Sequence, residues 1–145
     1  MAQLDYILGL DYGEKRIGVA IAHEFVELPR PLTTLSTSPT VGDEIQEIVK
    51  REGVKLIVVG LPRSMDGQVH AQGARAQEFA AALRAQVSVP VELTDETLTS
   101  VQAEQILAQG STSSNKSIAK GAIDAMSAAL ILERYFEERR MEHGA

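Results

Sequence analysis

The sequence predicts an α/β domain in which a mixed, five-stranded sheet is flanked by helices. Three observations support this class: closely spaced strand-like segments at the start, one uninterrupted apolar segment typical of a buried parallel strand, and helical apolar stripes around the later strands. The chain has 145 residues, of which 44% are hydrophobic, and this is the size of one ordinary domain. We therefore expect a single domain at residues 1–138 and a charged C-terminal tail at 139–145.

The first three predicted strands follow each other closely. Tyr6–Tyr12 is rich in apolar residues, and the turn residues 13–15 lead into Arg16–His23, so the two segments predict a β-hairpin. Pro31–Leu35 predicts a third strand. We expect it at an edge of the sheet because proline has no amide hydrogen for a neighbouring strand.

A helix and a buried strand follow the hairpin. Ser38 or Thr40 is placed to cap a helix that begins near Val41, carries one apolar stripe and ends at Gly53. Lys55–Gly60 has four consecutive apolar residues, which is typical of a parallel strand covered on both faces.

The second half of the chain predicts three more helices and one strand. A helix over Val69–Val87 precedes a strand over Pro90–Thr94, a short helix runs from Thr99 to Gly110, and the last helix begins near Ser117. The residues expected on the buried side of the first of these helices are Ala74, Phe79, Ala82 and Leu83. The stripe expected on the last helix comprises Ile118, Ala122, Ala125, Ala129, Leu132 and Phe136.

Acidic residues stand where burial makes a carboxylate costly. Asp11 belongs to an apolar strand, and Asp124 is the only charged residue between Gly121 and Leu132. A buried carboxylate needs a cation or a hydrogen-bond network, so both are candidate site residues. The structural alternatives are a turn residue for Asp11 and a helix-dipole contact for Asp124.

A third acidic position follows the last predicted strand. Asp95 and Glu96 stand at the end where sheets flanked by helices usually bind ligands. Because side chains alternate along a strand, only one of the two is expected in a site shared with Asp11. Without cysteine, a metal ion must have oxygen or histidine ligands, and separated carboxylates suit two Mg²⁺ or Mn²⁺ ions that act on a phosphodiester.

The charge balance argues in part against a nucleic-acid substrate. The chain has 14 Lys and Arg against 20 Asp and Glu, a net charge of -6, which repels polyanions at long range. Cations near the acids can nevertheless hold a phosphate backbone, and the candidates for substrate binding are Lys15, Arg16, Lys116 and Lys120. The alternative is that these residues are ordinary solvated charges of a turn and of a helix start.

Five ordered motifs resemble the YqgF family, whose bacterial members are described as Holliday junction resolvases or as pre-16S ribosomal RNA nucleases. The resemblance covers nearly the whole chain. The motifs are Leu8–Gly13, Lys15–Ala20, Val59–Pro62 with Met65–Gly67, Asp95–Glu96, and Lys120 with Ile123–Asp124. It implies a ribonuclease H-like fold and a metal-dependent nuclease with Asp11, Glu96 and Asp124 at the family's acidic positions. The sequence departs from the family at Thr97, where an arginine is usual, and one phosphate contact is thereby in doubt.

We expect the substrate to be structured RNA, namely the 5′ end of the 16S rRNA precursor, rather than branched DNA. A resolvase makes two coordinated cuts and normally needs a two-fold dimer with a broad basic face. The sequence of this acidic chain indicates neither feature. The alternatives are a Holliday junction resolvase, a catalytically silent nucleic-acid-binding module, and a sugar-kinase or actin-like nucleotide binder, for which the chain is too short. The sequence leaves open a monomer or a homodimer. With no membrane segment or signal peptide, a soluble cytoplasmic protein is the expectation.

Overall fold

A computed structural model of the chain describes the backbone of residues 5–62, 71–96 and 116–142, and the side chains there except at 62, 71–72, 95–96 and 116–121. The strands are β1 (Tyr6–Asp11), β2 (Arg16–His23), β3 (Arg30–Ser36), β4 (Val54–Pro62) and β5 (Val91–Glu96). The described helices are α1 (Val41–Glu52), α2 (Ala71–Arg84) and α3 (Lys116–Glu142). The short helix predicted from Thr99 to Gly110 lies outside the described residues, as does Thr97.

The five strands form one mixed sheet in the order β3-β2-β1-β4-β5, which confirms the predicted class. β1 and β2 form the expected antiparallel hairpin, and β3, with its proline, lies at an edge. β4 is parallel to both β1 and β5. The carboxyl ends of β1, β4 and β5 and the amino end of β2 therefore meet at one side of the sheet, here called the carboxyl edge.

Large branched side chains fill the face of the sheet covered by α1 and α2, here called the aliphatic face. Leu8 and Leu10 of β1 pack there with Ile45 of α1 and Leu83 of α2. α1 ends as predicted at Gly53, whose φ of 71° is in the left-handed region that favours glycine.

Glycine and alanine residues of the β1–β2 hairpin distinguish the opposite face, here called the small-residue face, which α3 covers. Ala20 and Ala22 of β2 pack there against Ala128 and Ala129 of α3. A Cβ atom added at Gly9 would lie 2.6 Å from Cγ of Leu132, so the helix and the sheet are too close for a larger residue. α3 therefore lies nearly against the backbone of the hairpin.

Two element assignments from the sequence were wrong in detail. Ala74 and Ala82 of α2 are exposed, and its buried residues are Gly73, Ala76, Ala80 and Leu83. Alanines occur on nearly every side of this helix, so the apolar pattern does not fix which side is buried. β5 extends to Glu96 because Asp95 and Glu96 pair with the end of β4, so this acidic pair lies within the strand and not beyond it.

In the part of the chain that the structure describes, four large apolar side chains are exposed, and the sequence patterns did not single them out. Phe25, Val26 and Leu28 lie in the connection between β2 and β3, and Met141 lies near the end of α3.

α3 continues as a helix to Glu142, past the predicted start of the charged tail. No described helix is long and apolar enough to cross a membrane.

Candidate active site at the carboxyl edge

Asp11 and Asp124 come together through a glycine. Asp11 is the last residue of β1, and its Cα partner on β2 is Gly18. A Cβ atom added at Gly18 would lie 1.8 Å from the backbone oxygen of Asp124, so α3 rests directly on this position. Asp11 belongs to the same alternating set as Ile7, which packs on the small-residue face beneath α3. The two acids thus share one face and one edge of the sheet.

Asp124 is held by an arginine from the start of β2. The Nε atom of Arg16 donates a hydrogen bond of 2.6 Å to Oδ2 of Asp124. The side chains are 43% and 23% exposed, so the pair contributes at most about 1 kcal/mol to stability. Its main consequence is geometric, because it fixes the carboxylate at the mouth of the site. Arg16, predicted to bind substrate, has a carboxylate partner in this structure.

Position 96 belongs by alternation to the face that carries Asp11. Thr94, two residues earlier on β5, donates a hydrogen bond of 2.9 Å to Oε2 of Glu138 on α3, so position 94 faces that helix. The alternation of a strand gives position 96 the same face and position 95 the other. This register favours Glu96 over Asp95 as the acid that shares a site with Asp11.

The strand register also shows how far along the sheet position 96 lies relative to Asp11. Leu10 of β1 pairs with Val59, which pairs with Leu93 of β5. Glu96 is thus two residues further along the sheet than Asp11 and two strands across. With strand spacing of about 4.8 Å and a rise of about 3.3 Å per residue, the two backbones are about 12 Å apart.

A cavity of about 420 Å³ opens at the carboxyl edge beside Asp124. It is lined by Tyr12, Gly13, Glu14, Lys15, Arg16, Arg75 and Asp124. Among the described residues, the lining has three cationic and two anionic side chains, whereas the whole chain carries a net charge of -6. The acidic protein therefore has a locally cationic cavity at the predicted site.

The predicted cations divide into two groups. Lys15 and Arg16 line the cavity. Lys116 and Lys120 lie in the first part of α3, with Lys120 one helical turn before Asp124, and their side chains are outside the described part of the chain. Among the side chains that the structure describes, no group of three acids or histidines is placed to hold a metal ion. The side chain of Glu96 is not among them.

Sequence reasoning missed two residues of this cavity, Glu14 and Arg75. The Nη1 atom of Arg75 donates a hydrogen bond to Oε1 of Glu14. Two features could have indicated that Arg75 lies near the site. It stands one helical turn before Phe79, and α2 follows the carboxyl end of β4. The signal is weak alone, since exposed arginines on helices are common.

Solved structures with the same arrangement of strands and helices define the class of this fold. The chain matches "T. thermophilus RuvC in complex with Holliday junction substrate" with a TM-score of 0.54 and 16% identity, over 94% of this chain and 96% of that one. It also matches the fowlpox virus resolvase in complex with Holliday junction DNA, with a TM-score of 0.51 and 10% identity over 94% and 99%. The fold is ribonuclease H-like, as the resemblance implied.

Sequence comparison identifies the family. Residues 5–138 match the RuvX family, described as "Holliday junction resolvase". A protein of Chloroflexus aggregans is 43% identical over 136 residues, covering 92% of this chain and 94% of its own, and one of Caldanaerobacter subterraneus is 38% identical over 92% and 97%. Both are named "Putative pre-16S rRNA nuclease". The chain belongs to the RuvX family, also called YqgF, and is a nuclease of the hydrolase class.

Proposed function

We propose that this chain is a divalent-metal-dependent endonuclease that processes the 5′ end of the 16S rRNA precursor in the cytoplasm. Asp11, Glu96 and Asp124 are the proposed catalytic and metal-binding residues. The observation that carries the proposal is the contact of the Asp124 backbone with Gly18, directly opposite Asp11 in the sheet. The names of the two relatives, at 43% and 38% identity, support the choice of RNA.

The donor set fits a hard divalent cation. All three proposed ligands are carboxylates, the ligands that Mg²⁺ and Mn²⁺ prefer. The backbone separation of about 12 Å between Asp11 and Glu96 suits two side chains that reach towards ions between them. Two such ions would supply an activated water and would neutralise charge on the leaving oxygen.

The cationic residues of the site have a separate role in this proposal. Lys15 and Arg16 line the cavity and would hold the phosphates that flank the cut, and Lys116 and Lys120 would extend this contact along the start of α3. A cation held by Asp124 would compete with Arg16 for the charge of the carboxylate. The guanidinium would then be available for a phosphate beside the cut.

The charge of the chain favours RNA over a four-way DNA junction. A single cut in structured RNA needs a small footprint, and the locally cationic cavity supplies one. A junction resolvase contacts two symmetric strands over a wide surface, for which a chain of net charge -6 is poorly suited. The family description and the structural neighbours make the junction the alternative substrate.

The decisive experiment is a side-by-side cleavage assay. A precursor rRNA fragment and a mobile four-way DNA junction are each incubated with Mg²⁺, Mn²⁺, Ca²⁺ or excess chelator, and the mass of the protein in solution is measured. We expect cleavage of the RNA in Mg²⁺ or Mn²⁺ and binding without appreciable cleavage in Ca²⁺, whose looser oxygen shell positions water less well. Undiminished turnover in chelator would contradict the metal-dependent mechanism.

Other outcomes separate the alternatives. Symmetric nicking of the junction by a stable dimer, without RNA cleavage, would replace the proposed substrate and leave the nuclease in place. Tight binding of RNA with no cleavage in any metal would favour a silent binding module.

A further inference from the structure

A second arginine–carboxylate pair lies at the site, on the side of the cavity opposite α3. Arg75 of α2 donates to Glu14 of the β1–β2 turn, and both residues line the cavity that Asp124 borders. Their side chains are 52% and 61% exposed. Neither residue belongs to the proposed metal site or to the four cations predicted from the sequence to bind substrate.

The position of Arg75 is fixed by its helix and not by the ion pair. Phe79, one turn later on α2, stacks on Tyr12 with ring centroids 4.8 Å apart and an angle of 29° between the rings. Ala76 and Ala80 are fully buried against the sheet. Because residues four apart share one side of a helix, Arg75 is held above the end of β1.

Arg75 and Arg16 reach the cavity from opposite faces of the sheet. α2 packs on the aliphatic face, whereas Arg16 bonds to Asp124 of α3 on the small-residue face. A polyanionic strand that crosses the carboxyl edge would therefore meet a guanidinium on each face of the sheet. Two arginines in this arrangement suit successive phosphates better than one compact anion.

The ion pair with Glu14 is easy to exchange. Exposed pairs of this kind stabilise a protein by about 0–1 kcal/mol, so a phosphodiester that binds the guanidinium through two hydrogen bonds can replace the carboxylate. In the free protein Glu14 then remains bonded to Arg75, and its charge repels polyanions that cannot displace it from the arginine.

We propose that Arg75 binds a backbone phosphate of the RNA substrate and that Glu14 holds this arginine until the phosphate replaces it. The inference rests on the proposed function for the identity of the ligand. It adds α2 to the substrate-binding surface. Glu14 then competes with the phosphate for Arg75 and so selects against polyanions that bind weakly.

The test is a binding titration, kept separate from cleavage. A fluorescein-labelled RNA hairpin with the 5′ flank of 16S rRNA is titrated with protein in Ca²⁺, and the anisotropy is followed at a series of KCl concentrations. The variants are Arg75→Ala, Arg75→Lys and Glu14→Gln. The matched controls are Arg51→Ala and Glu47→Gln, exposed residues of α1 that are not among the described residues lining the cavity.

Arg75→Ala should weaken binding about tenfold, the scale of one charge-assisted hydrogen-bonded contact. It should also lower the slope of log affinity against log salt by about 0.7–0.9, the contribution of one phosphate contact. Arg75→Lys should keep the slope and lose part of the affinity, since lysine retains the charge without the bidentate geometry. Glu14→Gln should bind a few times more tightly, mainly at low salt.

A slope for Arg75→Ala equal to that of the wild type and of Arg51→Ala would overturn the phosphate contact. Unchanged or weaker binding by Glu14→Gln would overturn the exchange. Circular dichroism of each variant distinguishes lost contacts from lost folding. If no metal supports cleavage but the slopes change as stated, the proposed function fails and this inference stands.

Discussion

The aliphatic face and the small-residue face belong to the same sheet but contribute differently to the protein. On the aliphatic face, residues such as Ile17 and Ile45 are fully buried between the sheet and α1 and α2. On the small-residue face, Gly9 and Gly18 let the backbone of α3 touch the strands. The first face buries much apolar surface, at roughly 25 cal/mol per Å², and the second brings a helix carrying Asp124 to the end of β1.

This difference separates stability from site geometry. A lost methylene group on the aliphatic face costs free energy of unfolding but leaves the acids where they are. An added methyl group on the small-residue face moves α3, and the proposed site moves with it. Single substitutions on the two faces can test this separation.

Asp124→Asn should lower the cleavage rate by at least about 10²–10³-fold, the scale for loss of one group that stabilises transition-state charge. Asp11→Asn and Glu96→Gln should have the same effect if all three acids hold the ions. Folding should be retained, because the Asn side chain fits the same space. Steady-state cleavage in Mg²⁺ is the measurement, with Asp43→Asn, exposed on α1, as the control. Full activity of Asp124→Asn would remove this residue from the mechanism.

Gly18→Ala should lower the free energy of unfolding by about 1–3 kcal/mol or more, because the new methyl group would meet the Asp124 carbonyl and push α3 away. It should also lower the cleavage rate of the folded protein, because Asp124 moves away from its position beside the end of β1.

The control for this substitution is Gly42→Ala on α1. A Cβ atom there would meet Oε1 of Gln86, an exposed and flexible side chain that can move aside. Alanine should therefore stabilise the helix by roughly 0.5–1 kcal/mol. Urea unfolding measures both, and equal stability and activity of the two variants would contradict the contact at Gly18.

Ile45→Val tests the aliphatic face. This residue is fully buried, and loss of one methylene group should cost about 0.5–1.5 kcal/mol. Cleavage per folded molecule should equal that of the wild type. A fall in activity like that of Gly18→Ala would show that the two faces are not separable.

Ser127 of α3 carries a buried hydroxyl group. Its Oγ atom is buried and has no hydrogen-bond partner within the described ranges. Ser127→Ala removes the unpaired hydroxyl and should stabilise the protein by about 1 kcal/mol. A lower urea midpoint for this variant would mean that the hydroxyl has a partner.

Tyr135, which packs beside the small-residue face, gives the smallest expected effect. Burial raises its pKa above 10.0, the Glu92 and Glu24 carboxylates raise it further, and Arg139 opposes the rise. The folded state then keeps the proton longer than the unfolded chain, so stability is unaffected below pH 10.0 and falls as the pH rises through the higher, folded pKa. Absorbance titration of the phenolate, with Tyr135→Phe as reference, measures this pKa.

Local patterns were enough to predict most of the fold. The alternation and the turn at 13–15 gave the β1–β2 hairpin, the uninterrupted apolar run gave the parallel strand β4, and Pro31 gave the edge position of β3. These features depend on neighbours in sequence, for which hydrophobic period and turn chemistry are sufficient. Asp11 and Asp124 were singled out by the same means, as charges in apolar segments.

Contacts between distant segments depended on the tertiary structure. Arg16 and Asp124 are separated by 108 residues, and Arg75 and Glu14 by 61, so no local pattern links either pair. On α2 the predicted burial of Leu83 was confirmed, but Ala74 and Ala82 were misassigned, because an alanine-rich helix has no strong apolar stripe to orient it. Sequence patterns were sufficient to predict the described strands and helices and to identify two acids that interrupt apolar segments. How near Asp124 lies to Asp11 depends on three-dimensional packing, because Gly18, the strand partner of Asp11, lets α3 approach the sheet at this point.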